Sequence, residues 1–376
     1  MIKVTLAQEN RKPEALLVNY TGRFGGGPIF GLEMTKGLIG NGIKVVAVIS
    51  RNVENLDEWK RLGLEQLIVI PTYKSLASFL LNSALFKFRQ ANVIKRRTKD
   101  LNITYIYIPM ICPWSDKVNK LFRHAKVCTT IHDPMPHSGE KLRSRFLSGK
   151  IERRSDKLIT LTKKFVPYLE DRYKKPVAHI PHGRFSYYKE RHFTNFEDNG
   201  KINFLFFGRL EAYKGLHVLA DAFGLCCDKM DNYTLTVAGA GDFSQYREAF
   251  SKIPNFTLIN KWLSSEEVNE LFKYKNTVLI LPYTDATQSG VISIAMEYNT
   301  TIIASDTGGL GEQIDHDKTG ILFEPGNAQA LATQILSVYR NAELRTRLAT
   351  TALESLEALN WDRLAESLIK FINSAC

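Results

Sequence analysis

The chain has 376 residues, enough for two or three domains that each bury a core. With 44% hydrophobic and 24% charged residues it has a globular composition, which excludes a disordered or fibrous chain. The net charge of +11 is uneven: residues 1–200 hold 35 Lys and Arg against 18 Asp and Glu, while residues 201–376 hold 15 against 21, so a basic half and a mildly acidic half are expected to face different partners.

The pattern alternates short apolar runs with segments of helical period. Strands are predicted at Ala15–Tyr20, Lys44–Ser50, Gln66–Ile70, Ile103–Ile108, Val127–Ile131, Leu158–Leu161 and Val177–Ile180. A helix is expected after the first strand, with Pro28 at its first position and Asn41-Gly42 at its end. The stretch His182 to Lys201 is polar, aromatic and aperiodic, and reads as the interdomain linker. The alternation restarts at Asn203–Phe207 and continues through Thr234–Ala238, Thr257–Ile259, Val278–Leu281, Thr301–Ala304 and Ile321–Phe323. Apolar runs without alternation, spaced by helix-length segments, point to parallel strands covered on both faces. The predicted fold is therefore α/β: two Rossmann-like doubly wound domains facing a cleft, with ligands at the carboxyl ends of the strands. Residues 1–190 form the first domain, 191–360 the second, and 361–376 a terminal helix expected to pack back on the first.

The longest apolar-rich stretch, Leu76 to Phe88, is broken by Ser78, Asn82, Ser83 and Lys87 and is too short to span a bilayer. Residues 1–5 lack the basic and long apolar regions of a secretory signal. Cys112, Cys128, Cys226, Cys227 and Cys376 show no Cys-x-x-Cys spacing, which suggests neither a disulfide framework nor a zinc knuckle and fits a reducing cytoplasm. His124, His137, His179 and His182 lack metal-ligand spacing, so no metal is expected.

Four loops that directly follow strands carry candidate chemistry. Gly22 to Gly27 leads into a helix; its glycines either form a tight turn or let backbone N–H groups meet an anion, and the spacing fits neither the phosphate-loop nor the dinucleotide pattern. Gly208 to Gly215 holds Arg209 and Lys214 five residues apart, a fork and a point charge suited to the two phosphates of a diphosphate. In Asp285 to Gly290, Ser289 is a candidate N-cap, a role compatible with an anion site at the same helix terminus. Glu297, two turns later on an apolar helix, is either a buried carboxylate that needs a partner or a solvent-facing one. His132-Asp133 ends a strand just before Pro134, where a histidine is a candidate site residue. No Gly-x-Ser-x-Gly elbow occurs, which disfavours a hydrolase.

Together these segments resemble the family 4 glycosyltransferases, retaining enzymes of the GT-B fold. The matching stretches are Gly25-Gly26-Gly27, Ile131-His132-Asp133, Ile180-Pro181-His182-Gly183, Phe207-Gly208-Arg209-Leu210 with Lys214-Gly215, Val237-Ala238-Gly239-Ala240-Gly241, Gly308-Gly309-Leu310-Gly311-Glu312 and Gly320 to Gly326. Order and spacing agree best over the second domain. The resemblance implies a nucleotide-sugar donor, UDP- before GDP-, held mainly by the second domain, and a glycan or lipid-linked acceptor on the first. It implies that Arg209 and Lys214 bind the diphosphate, that His132 lines the donor sugar, and that Gly26, Gly27, Gly208, Gln288, Ser289, Gly290 and Val291 line the donor site, with no metal or other cofactor. The sequence departs from the family where two glutamates eight residues apart are usual: alignment puts Ala286 and Ile294 there, in a Thr-Gln-Ser-Gly-Val variant, and Glu297, one turn on, is the candidate to reach the ribose.

The resemblance also gives the basic half a purpose. Leu76 to Arg89 followed by Lys95-Arg96-Arg97 is either a core helix with a solvated basic end or a segment lying on an anionic membrane, as would suit a lipid-linked acceptor in bacterial surface-polysaccharide assembly, O-antigen or capsule, by an enzyme peripheral on the inner face of the cell membrane. No nucleic-acid-binding motif is present. A non-catalytic sugar-nucleotide or glycan binder and a sugar-nucleotide epimerase on the same scaffold remain open alternatives.

Overall fold

The computed structural model describes residues 14–135 and 149–374; His137 and Cys376 lie outside the described residues. Among the described residues, thirteen strands form two sheets. The first sheet holds β1 (Glu14–Tyr20), β2 (Val45–Ser50), β3 (Gln66–Ile70), β4 (Asn102–Ile108), β5 (Lys126–Ile131), β6 (Lys157–Thr160) and β7 (Val177–His179) in the order β3-β2-β1-β4-β5-β6-β7. The second holds β8 (Ile202–Phe207), β9 (Tyr233–Ala238), β10 (Phe256–Ile259), β11 (Thr277–Leu281), β12 (Thr301–Ser305) and β13 (Ile321–Phe323) in the order β10-β9-β8-β11-β12-β13. Every pairing within these sheets is parallel.

The predicted strands are all present; most start one residue away from the predicted position, and most end where predicted. Their apolar runs are buried on both faces, as in β2 and β11, where every residue is buried. The first helix differs at its start: it spans Gly26–Gly40, because Gly25 (φ 94°) already turns the chain and leaves Pro28 inside the first turn. The predicted linker contains a short helix, Tyr187–His192, whose Tyr188 carbonyl accepts a 2.8 Å hydrogen bond from Asn269 of the second domain.

The terminal helix, Trp361–Asn373, returns to the first domain. Asn41 Nδ2 donates to the Asp362 carbonyl at 3.0 Å. At the other end the buried Lys157 ammonium donates to the carbonyls of Phe371 and Ser374, both at 2.7 Å, so a cation closes the helix C-terminus. A single apolar cluster consequently runs from Leu16 through both sheets to Ile372.

Strand order reverses beside β1 and β4 in the first sheet and beside β8 and β11 in the second. Such switch points open a crevice at the carboxyl ends of the strands. The glycine loop follows β1, the Arg209–Lys214 loop follows β8 and the Gln288–Ser289 loop follows β11, while His132 directly follows β5.

Candidate active site

These loops meet across an interdomain cavity of about 780 Å³. Gly26, His132, Gly208, Arg209, Lys214, Gln288, Ser289, Gly290 and Val291 all line it, although they come from both domains.

The second-domain wall is cationic. Arg209 extends from the loop after β8, exposed, with its nearest carboxylate, Glu211, 3.9 Å away. Lys214 is held differently: its ammonium lies 3.7 Å from the centroid of the Tyr283 ring, a cation–π contact that fixes its direction. Burial, with Arg209 adding repulsion, lowers the Lys214 pKa to about 8. A bound diphosphate would raise it again and hold the proton. Beside it the helix Gly290–Glu297 presents its N-terminus to the cavity, where first-turn N–H groups favour an anion. Ser289 occupies the N-cap position without a side-chain cap; its backbone N–H donates instead to Gln313 Oε1 at 2.7 Å, and Gln313 Nε2 returns a 3.1 Å bond to the Ser289 carbonyl. Gln313 thereby sets the entry angle of the helix. Gln288 Oε1, also lining the cavity, is buried without a hydrogen-bond partner, which leaves an acceptor for a ligand hydroxyl.

Two histidines face this wall from the first-domain side. His132 Nε2 lies 2.8 Å from the Pro109 carbonyl, which can only accept, so Nε2 carries the proton. Burial lowers its pKa, and the neutral ring keeps Nδ1 as an acceptor. His182 repeats the arrangement: Nδ1 donates to the Gly183 carbonyl at 2.8 Å, and burial lowers its pKa to about 4. A methyl group at Gly290 would lie 3.5 Å from His182 Nε2, which places that nitrogen beside the helix N-terminus. Phe30 packs edge-on against both rings, with centroids 4.8 Å from His132 and 5.4 Å from His182.

The sequence reading did not single out Glu54 or Trp262. Glu54 follows β2, lines the cavity, and accepts a backbone hydrogen bond from Gly25; burial raises its pKa to about 7. Trp262, 53% exposed, faces Phe24 across the cavity mouth with centroids 6.5 Å apart. Neither sits in a recognisable motif; Glu54 follows a strand end, the one signal that marked it.

Two expected donor residues lie elsewhere. A Cβ at Gly27 would fall 2.6 Å from Tyr20 Oη and 2.7 Å from Met110 Sδ, so Gly27 serves packing under the glycine loop. Glu297, 2% exposed, is turned away from the cavity, and both its oxygens are taken by Arg184, at 2.7 Å from Nε and 3.0 Å from Nη2. The ribose contact expected of Glu297 is thus corrected to a structural ion pair.

Bonds behind the cavity hold the domains in register. Thr162 Oγ1 donates to the Thr287 carbonyl at 2.7 Å, Thr287 Oγ1 donates to Asp133, and the Glu312 carboxylate accepts from the Lys163 and Lys164 backbone at 2.6 and 2.9 Å. Among the described residues no group of three or more His, Cys, Asp and Glu is placed to hold a metal.

Residues 188–355 match the family model described as glycosyl transferases group 1. The second domain matches that family. The chain also resembles known proteins: an uncharacterized glycosyltransferase of Methanocaldococcus jannaschii is 26% identical over 178 residues, 46% of this chain and 45% of that one. A second from the same organism is 24% identical over 324 residues, covering 82% of this chain and 83% of its own. Among solved structures, Anabaena HepE in complex with UDP and glucose superposes with a TM-score of 0.70 over 96% of this chain and 99% of that one, at 14% identity. The two parallel-sheet domains therefore share the GT-B arrangement of glycosyltransferases. The group 1 match spans every second-domain residue placed on the cationic wall.

Proposed function

We propose that the protein is a retaining, metal-independent glycosyltransferase that moves a sugar from a nucleotide-diphosphate sugar, UDP- before GDP-, to a hydroxyl of a glycan or lipid-linked glycan. The observation that carries this reading is the convergence of Arg209, Lys214 and the Gly290 helix N-terminus on one wall of a cavity whose opposite wall holds neutral His132. The second-domain match to glycosyl transferases group 1 and the UDP and glucose bound by HepE support the donor class.

The diphosphate would lie against the second domain, its leaving charge taken by Arg209, Lys214 and the helix N–H groups without a metal. His132 Nδ1 would accept from a hydroxyl of the donor sugar and fix the reacting carbon; a neutral ring suits orientation and not nucleophilic attack. In the same-face reaction the bond from the anomeric carbon to the phosphate oxygen breaks, the acceptor oxygen bonds to that carbon, and the departing phosphate oxygen takes the acceptor's proton. The acceptor would enter from the first-domain side, past Glu54, whose carboxyl near neutrality can both donate to and accept from hydroxyls. Among the described residues no helix is long and apolar enough to cross a membrane, and the proposed setting is the cytoplasmic assembly of a surface polysaccharide.

The test is a panel of UDP- and GDP-sugars scored for thermal stabilisation and for nucleotide release, with and without EDTA. One donor giving both a shift and EDTA-insensitive release supports the reading and names the donor. Stabilisation by none of them overturns it.

A further inference from the structure

The helix Leu76–Leu85 is built inside out. A Ser75 capping box starts it, yet none of its residues is buried. Its inward side is the more polar: Asn82 donates to the Thr72 carbonyl at 2.7 Å, and Ser83 Oγ accepts from Trp114 Nε1 at 2.8 Å, beside Phe79 stacked on Trp114. Its outward side carries Ala77, Leu80, Leu81 and Ala84, all exposed at the i, i+3, i+4, i+7 spacing of one helix face. Leu76, Leu80, Leu81 and, just beyond, Phe88 are 74, 60, 59 and 70% exposed. These are half of the large hydrophobic side chains exposed among the described residues, gathered in one segment.

Charge identifies what covers this face. Between Glu65 and Asp100 the chain has no acidic residue, while exposed Lys74, Lys87, Arg89 and the run Lys95-Arg96-Arg97 surround the apolar stripe. A second copy of the chain would bring the same cations against themselves. An apolar stripe with a cationic fringe complements an anionic headgroup layer over an acyl interior. The segment is also tied to the cavity. Arg23, in the glycine loop, donates to the Tyr73 carbonyl at 2.8 Å and stacks over the Tyr73 ring at 4.3 Å.

We infer that Leu80, Leu81 and Phe88 insert into the interface of an anionic phospholipid bilayer while the surrounding Lys and Arg bind its headgroups, which seats the first-domain wall of the cavity at the membrane. That this serves a membrane-borne acceptor rests on the transferase reading above; the docking itself does not.

The experiment is flotation of the full chain with vesicles of equal parts phosphatidylcholine and phosphatidylglycerol, against phosphatidylcholine alone. The wild type is expected to float with the anionic vesicles only, and less so in high salt, since each surface cation contributes roughly fivefold. Joint substitution Leu80→Ser, Leu81→Ser and Phe88→Ser is expected to weaken flotation at least about tenfold. Lys95→Glu with Arg96→Glu and Arg97→Glu is expected to weaken it as well. Unchanged stabilisation by the donor shows that each variant is folded. A wild type that does not float with anionic vesicles, or an apolar-face variant that floats equally well, overturns the inference. So does a dimer, seen by sedimentation velocity, that the same serine substitutions dissociate. Flotation lost with donor binding intact leaves the transferase reading standing; flotation without any donor binding separates the two the other way.

Discussion

Arg184 and Glu297 form a two-pronged ion pair that joins the interdomain linker to the far end of the helix whose N-terminus faces the cavity. The same arginine reaches Glu357 at 3.2 Å, and its carbonyl accepts from Trp361 Nε1 at 2.8 Å, so one side chain and its backbone gather linker, second domain and terminal helix. The Glu297 carbonyl also accepts from Lys189 Nζ at 2.6 Å. This explains a carboxylate buried on an apolar helix: its charge is compensated by residues remote in sequence.

Glu297→Gln should therefore act on stability and not on the donor. Removing one charge of the pair leaves Arg184 with the exposed Glu357 as its remaining carboxylate, at a cost of about 1–3 kcal/mol. The expected result is a lower denaturation midpoint with the donor dissociation constant changed less than about twofold. A large loss of donor affinity in a folded variant would return Glu297 to the donor site.

Arg209→Ala and Lys214→Ala should each lower turnover by about 10²–10³, the usual cost of deleting one charge-stabilising donor. Lys214 adds a pH signature. Its folded pKa is lowered to about 8, so the free protein loses this charge as pH rises through that value, whereas a bound diphosphate holds the proton. Donor binding should then take up a proton above that pH, and affinity should fall by up to about tenfold per pH unit. Lys214→Arg should bind with no such slope, because a guanidinium stays charged. Calorimetric titrations in buffers of different ionisation enthalpy measure the proton directly.

His182 predicts a stability slope on the acid side. Its folded pKa of about 4 lies below the ordinary histidine value, so between the two the unfolded chain binds a proton that the folded chain refuses. Stability should be full above about pH 6.5 and fall as pH drops toward about 4, by at most roughly 1.4 kcal/mol per unit from this ring. His132, also lowered by burial, adds to the same slope. Urea midpoints across that window should flatten in His182→Gln, and an unchanged slope in that variant would assign the effect to other groups.

The strands were legible because they are continuous apolar runs, and such runs buried on both faces carry little ambiguity once helix-length spacers separate them. The loops of the cavity were legible for a related reason: each follows a strand, which is where a doubly wound sheet binds ligands. The strand order that makes two of those loops neighbours has no local signal. Nor did the partner of Glu297, which lies 113 residues away. Composition marked the apolar-rich segment Leu76 to Arg89 but could not say which way its Ala77-Leu80-Leu81-Ala84 face turns, since an apolar face turned inward and one turned outward have the same spacing. Glu54 and Trp262 reach the cavity from loops with no motif.

Gly309 offers the sharpest test of the domain contact. A Cβ there would fall 2.1 Å from the Thr287 carbonyl oxygen and 2.6 Å from Thr162 Oγ1, the two atoms of a hydrogen bond that crosses between domains. Gly309→Ala must break or stretch that bond, and overpacking of this kind costs about 1–3 kcal/mol. Thr287 also holds Asp133, next to His132, so the displacement reaches the first-domain side of the cavity. The expected outcome is a lowered melting temperature together with a turnover loss larger than the loss in donor affinity, because the donor's cationic wall belongs to the second domain alone. Thr162→Val removes the hydroxyl without crowding and should cost less on both counts. Equal effects of the two substitutions would mean that the hydrogen bond, and not the close approach of the backbones, sets the contact.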